Sequence, residues 1–217
     1  MRIAAAVLAG SLPLLAGGCV SLLHSTQPLQ QEYVLTAPLP SSAAESAPGT
    51  AAAATLQVLP LLAGAGLGTD GIAVMRPGQR LDYYSGARWA APAPAMLQTL
   101  AIQALRGQGR FALIEPDGGP FDAHYVLNLE LTHFEADYAG AGPPTVRVAL
   151  VCTLGRRATR RVVATFTASS AVTADADRMQ AVVAAFERAT GAALAQLAAQ
   201  LVPPAEAAPA APAAVSP

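Results

Sequence analysis

Apolar side chains recur along this chain with two periods, and the switches between them lay out the elements. Glu32 to Thr36 and Thr55 to Leu62 alternate as strands, and Ile72 to Arg76 with Arg80 to Tyr84 reads as a hairpin turned at Pro77-Gly78. Leu97, Leu100, Ala101, Ala104 and Leu105 share one side of a 3.6-residue period. They predict a helix from Ala95 to Arg106, entered after Pro94 and ended by Gly107 and Gly109. Phe111 to Glu115 returns to strand character.

From Tyr125 to Tyr138 the residues Leu127, Leu129 and Leu131 face one way and Asn128, Glu130 and Thr132 the other, as in a half-buried strand. The large apolar residue then shifts to Phe134, so a bulge is expected near His133. Val146 to Leu154 and Val162 to Ala168 pair across the polar turn 156–161. The last helix runs from about Asp177 to Leu201, striped by Met179, Val182, Val183, Phe186, Ala193, Leu194, Leu197 and Leu201. Asp175 or Asp177 caps it and Pro203-Pro204 stops it. The sum is an α/β chain of the α+β kind, a single domain whose mixed, largely antiparallel sheet carries two amphipathic helices on one face.

Segments poor in large apolar residues frame this domain, and they lack what would offset the entropy of ordering. Residues 1–18 read as a signal peptide, 19–31 as a tether, 32–202 as the domain with an Ala/Pro/Ser linker at 37–54, and 203–217 as a disordered Ala/Pro tail. Only 12% of the residues are charged, the net charge is -1 and there is no lysine, so neither a phosphate backbone nor an anionic bilayer surface is an obvious electrostatic partner. Nucleic acid is therefore not expected.

Gly66-Leu67-Gly68-Thr69-Asp70-Gly71 spells a formal dinucleotide fingerprint, but a short β-like run ended by Pro77 follows it where a helix is needed. The glycines suit a turn. His24, His124 and His133 show no metal-ligand spacing, and His133 with Glu135 reads as a solvated strand face. No serine sits in a nucleophile elbow, so neither a catalytic residue nor a metal is assigned. Cys152 continues the apolar alternation of its strand and reads as buried. Arg156, Arg157, Arg160 and Arg161, the only cationic cluster, offer contact to lipid phosphates or an acidic partner, but read rather as a soluble turn that protects strand edges. Tyr83, Tyr84, Arg88 and Trp89 are the candidate partner contacts, with Trp89 inclined to the core and the other three to the surface.

Cys19 carries the strongest chemistry. It follows Leu14-Leu15-Ala16-Gly17-Gly18, behind Arg2 and an apolar stretch too short to span a bilayer, which needs about 20 residues. Cleavage between Gly18 and Cys19 would leave a lipidated cysteine with palmitate-like chains, and two or three such chains hold a protein on a membrane.

Together with Cys19, the blocks Tyr33-Val34-Leu35, Leu67 to Val74, Leu81-Asp82-Tyr83-Tyr84, Ala87-Arg88-Trp89-Ala90 and Gly109-Arg110-Phe111 resemble the ABC-type transport auxiliary lipoproteins, including the paraquat-inducible protein C type. The resemblance implies a compact α/β domain without cofactor or catalytic residues. It also implies work beside a mammalian-cell-entry (MCE) domain protein and an ABC permease and ATPase, moving lipids between the two membranes. Of the family's functional residues only the acylated cysteine carries over, to Cys19. Val20 and Ser21 follow it with no Asp, which by the sorting rule of such lipoproteins implies the outer membrane, facing the periplasm. An alternative is a lipid-binding lipoprotein with an acyl chain in an apolar pocket between sheet and helices. A homo-oligomer stays open.

Overall fold

The computed structural model describes residues 30–38 and 54–203. The signal peptide, Cys19, most of the linker and all of the tail but Pro203 lie outside the described residues.

The architecture is an open mixed sheet of nine strands with two helices, an α+β single domain, as the apolar periods predict. Its axis is β7 (Tyr125–Asp137), whose even alternation buries Leu127, Leu129 and Leu131. One edge of β7 pairs antiparallel along its whole length with β8 (Thr145–Arg156), which pairs with β9 (Arg161–Thr173). The bulge expected near His133 is present, since the β7–β8 register shifts between Leu131 and His133. The other edge is covered in three parallel steps, by β2 (Thr55–Val58), β3 (Leu62–Ala63) and β4 (Gly71–Arg76). Beyond β2 lies β6 (Leu113–Pro116), and beyond β4 lie β5 (Arg80–Trp89) and then β1 (Gln31–Tyr33).

The run Thr55 to Leu62, expected as one strand, is two. Pro60 has no N–H for the ladder, so the chain breaks there, and the side-chain amide of Gln98 donates instead to the freed Leu59 carbonyl at 3.0 Å. β1 stops at Tyr33 rather than Thr36 because the chain then leaves the sheet for the helices: Leu35 is buried, and Thr36 hydrogen-bonds to Glu187. β9 runs on to Thr173, beyond the expected Ala168, because β8 offers partners as far as Thr145.

α1 (Ala93–Arg106) starts two residues early, with Pro94 in its first turn, where a missing N–H leaves nothing unsatisfied. α2 (Met179–Gln200) is not capped by Asp175 or Asp177: Arg178 is its N-cap residue and makes no side-chain cap bond. Asp177 instead accepts the Tyr138 hydroxyl at 2.6 Å, and Asp175 pairs with Arg188 at 3.3 Å. The helix is held at its other end, where the Arg110 guanidinium donates to the carbonyls of Ala198 and Ala199 at 2.8 and 2.9 Å. A cation at a helix C-terminus satisfies orphan carbonyls and meets the negative end of the dipole.

The helices pack against each other, and α2 lies on β8 and β9. Between helices and sheet stand Trp89, Phe134 and Phe186, with ring centroids 4.8 to 5.7 Å apart.

Candidate functional site

The structure takes the Tyr-Arg-Trp segment apart. Trp89, 1% exposed, is core and not contact surface, because it ends β5 with its ring against Phe134 and Phe186. Its backbone N–H donates to the Asp70 carbonyl at 2.7 Å, which ties the end of β5 to the glycine-rich turn. Arg88 reaches Glu32 on β1 and Asp70, at 3.6 Å from the latter, so its charge clamps the first strand to the sheet. Tyr84 is half-buried against Tyr138, hydroxyl to hydroxyl at 2.8 Å. Since Tyr138 donates to Asp177, Tyr84 is the donor to Tyr138. Burial raises the pKa of both tyrosines, and for Tyr138 the bond to Asp177 raises it further. Tyr83, 43% exposed, is the member of the set that most presents a surface.

Tyr83 also explains the glycines. Its hydroxyl donates to the Gly66 carbonyl at 2.7 Å, and its ring lies where a Cβ on Gly71 would stand, 2.5 Å from Cδ1. Gly66 adopts φ +81 with Leu81 so close that a Cβ would be 2.2 Å from its methyl. The formal fingerprint is thus a close-packed turn whose last glycine, Gly71, opens strand β4. Helix α1 is braced by the same turn through Ala93 N–H to the Thr69 carbonyl at 3.1 Å.

His133 and Glu135 do meet, at 2.7 Å, but the pair is not a solvated strand face. Glu135 is 2% exposed, and its other oxygen accepts the Phe134 N–H at 2.7 Å, so the carboxylate satisfies the backbone at the bulge. Among the described residues no group of three or more His, Cys, Asp or Glu side chains could hold a metal ion. Cys152 is fully buried in β8, and that burial pushes its thiol up to about 12. No helix among the described residues is long and apolar enough to cross a membrane.

The feature that reading the sequence missed is a groove of about 550 Å³ between the chain leaving β1 and the outer side of α1. Val34 and Ala37 form one wall; Met96, Thr99 and Leu100 form the other. Leu100, expected in the core stripe, is only partly buried and turns into this groove. The signal was present in the helix, which carries Met96 and Leu100 beside Leu97, Ala101, Ala104 and Leu105, a wider apolar arc than one neighbour covers. Just past the groove the chain makes a close approach: Pro38 passes over Gly191 of α2, where a Cβ would sit 2.9 Å from the Pro38 carbonyl oxygen.

An open α+β sheet flanked on one face by two packed helices, with a filled interior and an apolar groove beside its first strand, defines the class of domain. A model of the ABC-type transport auxiliary lipoprotein component matches residues 33–202, and the chain belongs to that family. It is similar to protein XCC0632 of Xanthomonas campestris, with a TM-score of 0.69 and 27% identity over 77% of this chain and 92% of that one. An uncharacterised protein of known structure shares the fold at a TM-score of 0.60 and 16% identity, over 79% of this chain and 97% of its own. No curated protein matches the chain.

Proposed function

We propose that the protein is a non-enzymatic subunit of an MCE-type lipid transport system, held by acylated Cys19 at the outer membrane with its domain in the periplasm. The domain positions the distal end of the transport assembly and does no chemistry of its own. The observation that carries this reading is the apolar groove, which opens beside the strand leading back toward Cys19. Val34, 66% exposed, offers its isopropyl group there, and removing such apolar surface from water contributes about 25 cal/mol per Å². An apolar helix or strand of the MCE protein or of an ABC subunit is the occupant of matching chemistry.

A carrier with an acyl chain between sheet and helices fits less well, because Trp89, Phe134, Phe186 and Leu129 fill that space. Co-purification from detergent extracts tests the docking reading. The full chain should bring down the MCE-domain protein with the permease and ATPase, and Val34→Glu should lose them while staying folded and membrane-bound. Recovery of none of these under conditions that keep the transporter intact overturns it. Separately, Cys19→Ala should release a folded, mislocalised protein; undiminished membrane attachment would refute the anchor.

A further inference from the structure

Four of the chain's 13 cationic residues crowd the tip of the β8–β9 hairpin, where Arg156, Arg157, Arg160 and Arg161 line a concavity of about 430 Å³ with Val126 and Val162. Two of them are held in place. Arg156 lies over the Tyr125 ring, 5.1 Å from its centroid, and Arg157 donates to the side-chain carbonyl of Gln57. The guanidiniums of Arg160 and Arg161 have no partner among the described residues, and the carboxylates of the neighbouring loop, Asp117 and Asp122, form no ion pair with any of the four. Arg160 also holds φ 53, a left-handed backbone that residues with side chains seldom adopt.

A turn that served solubility alone would be polar throughout, but this one has apolar flanks. Val162 is 66% exposed, and so, at 63%, is Phe121 on the loop that leads into β7 at the same end of the sheet. The two segments are joined there by Arg157 N–H to the His124 carbonyl at 3.0 Å. Guanidinium forks match phosphate oxygens in pairs, and several in one concavity focus a positive potential on the ligand. Exposed apolar groups beside such charges suit the boundary between headgroups and acyl chains.

We propose that this cleft binds the phosphate headgroup of an anionic phospholipid, with Val162 and Phe121 against the start of its acyl chains. An acidic protein segment would use the arginines but would leave the apolar rim unexplained. The inference goes beyond the docking reading and stands without it, because the cleft lies far from the groove. β1 meets the sheet near the level of His133 to Ala136, roughly 30 Å along β7 from Tyr125 at about 3.3 Å per residue.

The test is calorimetric titration of the full-length protein in neutral detergent with dihexanoyl phosphatidylglycerol, dihexanoyl phosphatidylcholine, inorganic phosphate and a polyglutamate peptide. Phosphatidylglycerol should bind more tightly than the other three. Arg160→Gln with Arg161→Gln should weaken it about 25-fold, at about fivefold per charge, while Arg80→Gln elsewhere on the surface leaves it unchanged. Val162→Ser should weaken the lipid and not inorganic phosphate. Arg160→Gly, which removes one charge while relieving the backbone, should weaken it about fivefold in a variant with no reason to unfold. Binding of phosphatidylglycerol that ignores the arginines, or none at all, overturns the proposal. So does inorganic phosphate bound as tightly as the lipid, and so does polyglutamate bound more tightly, which would give the cleft to an acidic protein segment.

Discussion

The two edges of β7 are made differently. On one, β8 follows in the chain and pairs residue for residue from Tyr125↔Arg156 to Asp137↔Thr145, interrupted only at the bulge. On the other, β2, β3 and β4 touch it in three short parallel steps, and between the steps the chain is steadied by outside groups. Gln98 serves the break after Val58 and Tyr83 pins the turn at Gly66, while Gly64 N–H holds on to β7 itself through the Leu131 carbonyl at 2.9 Å. A hairpin closes a short loop and is rewarded at once, whereas the parallel edge must bring distant segments together first. One edge is thus stabilised locally and the other by the rest of the molecule.

The largest test of that contrast is Trp89→Ala. Its ring touches both β7 and α2, so the loss should be about 3–5 kcal/mol, read by denaturant unfolding. Hydrogen exchange sharpens the result: amides of the parallel steps should open first, with the β8–β9 ladder protected longest. Equal acceleration on both edges would refute the division.

Gly66→Ala is aimed at the parallel edge alone. A Cβ at φ +81 facing Leu81 should lower stability by about 1–3 kcal/mol. The Gly64 amide should exchange faster while Cys152 and its neighbours do not change, and a uniform response would again count against the contrast.

The smallest effect near neutral pH concerns the β8 edge and its thiol. The unfolded chain releases the Cys152 proton above the ordinary cysteine value of about 8.5, while the folded chain keeps it up to about 12. The folded state binds more protons in that window, so stability falls as pH rises through it, by at most about 1.4 kcal/mol per unit, and is unaffected below it. Tyr84 and Tyr138 act in the same direction at higher pH. Cys152→Ala removes the thiol's share, so its deficit relative to the parent should shrink between pH 9 and 11, and parallel curves would sink the prediction. Native Cys152 should also resist thiol reagents at neutral pH.

Much of this was legible beforehand because it depends on near neighbours. The alternation at Leu127, Leu129 and Leu131, its phase shift at Phe134, the stripe of α2 and the apolar setting of Cys152 can all be read from residues a few positions apart. Asp175 and Asp177 show where such reading stops: either could cap α2 by spacing, yet Arg188 and Tyr138 claim them from other elements. Glu135 departs from its expected solvated face for the same reason, since the backbone of the bulge draws its carboxylate inward.

By itself, then, the sequence determined the periods, the long hairpin, both helices and the family blocks, because burial of alternating or striped side chains is a local property of the chain. Tertiary structure decided how Pro60 splits a strand, why Gly66, Gly71 and Gly191 must lack side chains, and that Leu100 faces a groove. It also decided that Trp89 is core while Arg88 is a clamp. Each of these rests on an atom brought near from far along the chain, and no pattern of neighbouring residues encodes that distance.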